Sequence, residues 1–157
     1  MTTTSSGSTL EQTVRGTLES KGFTVVAYRD WAKNSKKYGS ELLLMHVPYR
    51  TIYEHGGYTE YLLKSKKYKL SVRIECKWQQ RSGSVDEKLA YLYLNALQVP
   101  EDDMIIVIDG PGFKKGAIQW LRNAVATRKY IEQDSPEKRI LVFNLAEFLT
   151  WANKIFR

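Results

Sequence analysis

Residues 70–78, Leu70-Ser71-Val72-Arg73-Ile74-Glu75-Cys76-Lys77-Trp78, alternate between apolar and polar side chains without a break. A period of two predicts a β-strand. Leu70, Val72, Ile74 and Cys76 then share the core face, and Ser71, Arg73, Glu75 and Lys77 share the other, which is expected to face solvent. A carboxylate and an ammonium two residues apart on one strand face can hold a metal ion beside a cation that positions or activates a water. The same pattern also describes an ordinary charged sheet surface, and Glu19-Ser20-Lys21 and Asp86-Glu87-Lys88 fit it equally.

Upstream of this strand the chain offers partners for it. Residues 41–47 form an apolar run of strand length, expected to stop at Pro48, and residues 58–63 form a second, with a polar turn over 64–69 leading back into residue 70. That turn makes a hairpin of the strands bearing Glu60 and Glu75, so the two carboxylates can meet at one end of a sheet. No aspartate lies between Asp30 and Asp86, which leaves Glu41 and Glu54 as the acidic rivals of Glu60; an exposed edge position is the plainer reading of Glu60. Earlier still, Ser8 stands three residues before Glu11, and Leu10, Val14 and Leu18 recur at helical spacing. This predicts a tail over residues 1–8, a capping box at Ser8 and a helix ending near Gly22. A strand is expected over 23–28, followed by a basic loop carrying Lys33, Lys36 and Lys37.

Downstream the pattern changes to alternating strands and helices. After a loop over 79–83, a helix is expected over 85–97 with Ser84 as its cap and Pro100 beyond its end. The continuous apolar run 104–108 predicts a central strand covered on both faces, running through Asp109 into the turn Gly110-Pro111-Gly112. A helix over 115–127, a strand over 140–143 and a helix over 145–154 complete an α/β order. Spacing of Gly110, Gly112 and Gly116 matches neither nucleotide-binding loop, so a simple turn is the reading here.

The 157 residues carry 24 Lys and Arg against 17 Asp and Glu, a formal charge of +7, which favours polyanionic partners. One domain, residues 9–157, is expected from the length. The single cysteine excludes an internal disulfide and a four-cysteine zinc site, and His46 and His55 lack ligand spacing. Without a signal-like or membrane-spanning apolar stretch, a cytoplasmic protein that does not enter a membrane is expected.

An acid on a first helix, an acid on a strand and then Ile74-Glu75-Cys76-Lys77 together resemble the PD-(D/E)xK nuclease superfamily. Residues 73–88, RIECKWQQRSGSVDEK, are similar to restriction-endonuclease-like members in which the catalytic strand leads through a glutamine and a small-residue turn into a helix. Residues 107–121, VIDGPGFKKGAIQWL, are similar to the strand, glycine turn and helix that follow, and residues 7–26 are similar to the first helix and strand of archaeal Holliday-junction resolvases.

The resemblance implies an α/β, restriction-endonuclease-like fold with a mixed sheet flanked by helices. It also implies a metal-dependent DNA endonuclease using Mg2+, with Mn2+ as a substitute, and acting as a homodimer or higher symmetric oligomer. Junction resolution is an alternative activity, and a catalytically silent DNA-binding module an alternative of another class. Glu60 and Glu75 are the implied metal ligands, with the backbone carbonyl of Cys76, and Lys77 is implied beside the attacking water. Glu11 matches the helical acid of some members, and it also reads as the acid of its own capping box. Gln79 matches by position and could orient a water, or be a polar loop residue. Thr59-Glu60 stands where the family has Pro-Asp, and a glutamate reaches one methylene further. Expected DNA contacts are Tyr49 and Arg50 beside Tyr53, Arg81, Lys88, and Lys114 with Lys115 at a helix start.

Overall fold

Strict alternation produces the strand it predicts: in the computed structural model, which describes residues 6–82, 86–132 and 137–157, β4 spans Leu70–Trp78. Around it the elements run α1 (Ser6–Ser20), β1 (Thr24–Ala27), α2 (Tyr28–Lys33), β2 (Leu42–Arg50), β3 (Gly56–Ser65), then β4. There follow α3 (Asp86–Gln98), β5 (Asp103–Asp109), α4 (Lys115–Ala126), β6 (Arg139–Phe143) and α5 (Leu145–Ile155). The strands form one mixed sheet in sequence order; β2, β3 and β4 are antiparallel neighbours, while β1 with β2, β4 with β5 and β5 with β6 are parallel.

Helices cover both faces of that sheet, as parallel strands require. Leu10, Val14 and Leu18 of α1 and Phe148 and Ala152 of α5 pack on Val72, Ile74, Cys76, Ile105 and Val107. On the opposite face Leu89, Tyr93 and Ala96 of α3 and Leu121 and Ala124 of α4 pack on Met104, Ile106 and Ile108. The apolar run of β5 is therefore buried on both sides, and its neighbour β4 has no solvent-facing side over its middle.

Local departures from the sequence expectations have identifiable causes. The first helix begins at Ser6, so Ser8 lies inside it and is not its N-cap; the Ser84 cap lies outside the described residues. The expected strand over 23–28 stops at Ala27 because Tyr28 opens α2, and the expected basic loop is instead α2 followed by a 3-10 turn, Ser35–Lys37. There Tyr28 and Trp31 pack against the cluster of Val26, Leu42 and Leu44, a tertiary contact that charge composition conceals. Pro48 does not end β2, which runs on to Arg50 opposite Gly56. Pairing with β1 ends at Met45, so beyond it β2 has one free side, where a missing N–H costs nothing.

The sheet divides where the chemistry-bearing residues lie. β3 pairs with β4 from Ser65↔Leu70 to Tyr61↔Ile74 and no further, although β3 continues to Gly56 along β2 and β4 continues to Trp78 along β5. One step on in the same register, Glu60 would stand opposite Glu75. Pairing of β2 with β3 also skips His46 opposite Glu60, and His46 has φ 56°. Leu42, Leu44 and Val47 enter one cluster despite their uneven spacing, so the left-handed residue reverses the pleat at that point.

Candidate active site

The pleat of β4 points Cys76 into the core, 2 % exposed, and turns Arg73 and Glu75 the other way. Contrary to the expectation of a solvent-facing surface, that side is covered: Arg73 is 3 % and Glu75 7 % exposed. Alternation separates the two faces, but it does not reveal what tertiary neighbours, such as Val47, Pro48, Thr59 and Glu101 around Arg73, gather over one of them. Ser71 and Lys77, at the two ends of that row, are exposed.

Three carboxylates meet at the division of the sheet. Glu60 lies within hydrogen-bonding reach of both Glu11 and Glu75, and Lys77 is close enough to act electrostatically on both of those acids. Burial, then the Glu60 carboxylate, pushes Glu11 up to about 7. Burial also dominates at Glu75, where it outweighs the nearby Lys77 and, with Glu60, raises the group to about 8. The Cys76 thiol is raised further still by burial and by the three acids, so it is no thiolate ligand; a role for Cys76 falls to its backbone carbonyl. Glu11 reaches this point because the Tyr61 hydroxyl donates to the Glu11 carbonyl at 2.9 Å, fastening α1 to β3 beside Glu60. Its helix begins five residues earlier, so the capping-box reading of Glu11 does not stand. The rival acids lie elsewhere: Glu41 accepts from Ser65 and from the backbone of Lys66 and Lys67 at the β3–β4 turn, and Glu54 sits in the β2–β3 hairpin with φ 62°.

Arg73 spans the gap that opens between β3 and β4. Its guanidinium donates to the carbonyls of Val47 at 3.1 Å and Pro48 at 2.9 Å, to Thr59 Oγ1 at 3.2 Å and to Glu101 at 2.5 Å, and it lies 5.6 Å from the Tyr49 ring centre. A planar, five-donor group suits this task, since it satisfies β2 carbonyls that have no strand to pair with.

Beyond β4 the chain is shaped by the glycine turn. Gly112 N donates to the Gln79 carbonyl at 2.8 Å, and a Cβ on Gly110, whose φ is 109°, would lie 2.4 Å from that same oxygen. A Cβ on Gly112 would lie 2.6 Å from the Arg81 carbonyl. The two glycines thus permit the exit of β4 to pack on the exit of β5, which accounts for them without a phosphate. Gln79 folds its side chain back to donate to the Arg81 carbonyl at 2.6 Å, and β4 ends at Trp78, so it does not extend the Glu75 and Lys77 row as expected.

The residues expected to touch DNA fall into two groups. Tyr49 and Lys88 line a cavity of about 570 Å3 together with Glu75, Lys77 and Gln79, whereas Lys114 and Lys115 are exposed at the start of α4 and Phe113, just before them, lines the cavity. Arg50 is exposed on the hairpin and donates to the Glu54 carbonyl, and Arg81 is exposed on the loop after β4. Sequence reasoning missed Arg73, Asn95 and Tyr91. Asn95 had a signal, since it interrupts the apolar stripe of α3 beside Leu92 and Ala96; buried to 6 % exposure, it accepts from Ile52 N at 3.0 Å and ties the hairpin to the helix.

Among the described residues no group of three or more His, Cys, Asp and Glu side chains is arranged to hold a metal ion as it stands. Glu60 with Glu75, and Glu60 with Glu11, are nevertheless close pairs of hard oxygen donors; burial and then the Glu60 carboxylate raise the proton affinity of Glu11 and Glu75, and a divalent cation relieves the same repulsion. Few protein carboxylates with several waters is the habit of magnesium, so the donor set fits. A family model described as a PD-(D/E)XK nuclease superfamily domain matches residues 2–156, and no curated protein matches the chain.

Proposed function

As the chain belongs to the PD-(D/E)XK nuclease superfamily, whose members generally use divalent metals, we propose that it is an endonuclease that hydrolyses phosphodiester bonds of double-stranded DNA with magnesium. The observation that supports this most is the position of the Glu60 carboxylate between those of Glu11 and Glu75, with Lys77 beside them.

Glu60 and Glu75 would hold the cation, with the Cys76 carbonyl. Bound there, it would stabilise charge on the phosphate oxygens and lower the pKa of a water. The exposed ammonium of Lys77 holds that water or a phosphate oxygen on the cavity side, and burial of Glu75 keeps bulk water from competing for its oxygens. Glu11 restrains Glu60 from the far side, which accommodates the longer arm that replaces the family's aspartate. Net charge of +7 favours approach to DNA, and a two-fold dimer would present one site to each strand.

Plasmid nicking tests the reading. Wild-type protein nicks supercoiled DNA with Mg2+ or Mn2+ and not with chelator; Glu75→Ala, Lys77→Ala and Glu60→Gln each reduce nicking at least 100-fold while remaining folded. Wild-type rates in the Glu75 and Lys77 variants would eliminate the site, and Glu60→Asp with retained activity would show that the shorter arm also reaches.

A further inference from the structure

The division of the sheet leaves a cavity of about 570 Å3 that the acids alone do not explain. It is bounded by the β2–β3 hairpin, by β4 and by α3, and Glu75 and Lys77 form one side of it. Around the rest of it stand four aromatic residues, Tyr49 and Tyr58 from the hairpin, Tyr91 from α3 and Phe113 from the glycine turn, among Thr51, His55 and the apolar side of α3. Tyr58 is 55 % exposed and stacked on His46 at 3.8 Å with the rings 8° apart, so its other face remains open as a platform. Tyr91 is held by stacking on Tyr53 at 5.7 Å.

A buried amide also faces this space. Asn95 lines the cavity, and its Oδ1 is committed to Ile52 N, so the amide NH2 is the part left to face inward. Among the described residues it donates to no partner, and no buried side-chain nitrogen or oxygen lacks one, so this NH2 is reached through the cavity. Aromatic walls with a fixed amide donor, next to the Glu75 carboxylate and to the exposed ammonium groups of Lys77 and Lys88, match the parts of a nucleotide: a flat ring with acceptors on its edge, joined to a phosphate.

We infer that the cavity receives one nucleobase that has left the helical stack next to the phosphate being cut. The inference rests on the nuclease reading and narrows its substrate to DNA carrying an unpaired or easily extruded nucleotide. A paired base cannot enter without breaking its stack, so the cavity selects DNA in which that cost is already met. Stacking on aromatic side chains corresponds to about 5- to 150-fold in affinity per base.

The test compares three duplexes: fully matched, with one unpaired 2-aminopurine, and with an abasic site at that position, in magnesium for cleavage and in calcium for binding. Wild-type protein should bind and cut the unpaired duplex about 5- to 150-fold better than the matched one. It should quench the 2-aminopurine and lose the preference on the abasic duplex. Tyr91→Ala should abolish the preference and the quenching, and Tyr91→Phe should keep both. A wild-type enzyme that cuts all three duplexes equally would overturn the inference and leave the nuclease reading intact. Quenching and preferential binding without cleavage under any divalent metal would refute the nuclease reading and support the occupant of the cavity.

Discussion

Replacement of Arg73 by methionine keeps the length of the side chain and removes every donor that bridges the divided sheet. In the folded protein Glu101 would lose its partner at 2.5 Å while its side chain stays largely buried, and the Val47 and Pro48 carbonyls would lose donors at 3.1 and 2.9 Å. Breaking one side of a buried ion pair costs about 3–5 kcal/mol and the orphaned buried carbonyl of Val47 about 1–3 kcal/mol, whereas the carbonyl of the exposed Pro48 can turn to water, and such losses in one network do not add fully. A net loss of about 4 kcal/mol or more follows, against a total stability of about 5–15 kcal/mol for a domain. With a urea m-value of about 2 kcal/mol per molar, the midpoint moves down by about 2 M. The assay is equilibrium urea unfolding followed by tryptophan fluorescence, with Glu101→Gln and the double variant completing a cycle. Because the two residues act on one another, the double variant should be more stable than the sum of the single losses by about 0.5–3 kcal/mol. A midpoint shift of Arg73→Met below about 0.5 M, or strict additivity in the cycle, would refute the role given to Arg73.

Glu75 gives a pH prediction: its folded value near 8 lies above its unfolded one, so the metal-free folded state holds a proton the unfolded chain has released. Glu11, raised to about 7, acts the same way, so stability in chelator should fall as pH rises from about 4.5 to 8, by at most about 1.4 kcal/mol per pH unit for each of the two acids, and Glu75→Gln should make the fall shallower; a level wild-type profile counts against the burial argument. Cation binding needs the ionised form, so cleavage should rise over the same window. Gly110→Ala, with its Cβ 2.4 Å from the Gln79 carbonyl and a φ of 109°, should cost about 2 kcal/mol, roughly 4–8 °C in Tm. Gly116→Ala in α4 meets nothing within 4 Å and should not lower Tm, so equal losses at both glycines would contradict the close approach. Neutralising Lys114 and Lys115 together should lower the slope of log affinity against log salt by about 0.9 for each phosphate contact removed, and an unchanged slope would take the start of α4 out of the interface.

Periodicity in the chain determined β4, and with it the separation of Cys76 from Glu75 and Lys77, because side-chain alternation is a property of the backbone and needs no partner. The hairpin turn likewise made Glu60 the natural companion of Glu75, since register follows from counting back through the turn. Boundaries of β5, α4 and β6 were legible to within a residue for the same reason, their patterns being long and uninterrupted. Whether the Glu75 face meets water was decided only by what the fold gathers around it, and burial, which lifts Glu75 toward 8, is a sum over neighbours distant in sequence. The division between β3 and β4, the reversed pleat at His46 and the span of Arg73 are equally tertiary. Each arises because two ribbons that share a register up to Tyr61↔Ile74 are drawn apart by their other partners, β2 on one side and β5 on the other. The sequence supplies the charged residues for that gap, and the competition between neighbouring strands creates the gap in which they meet.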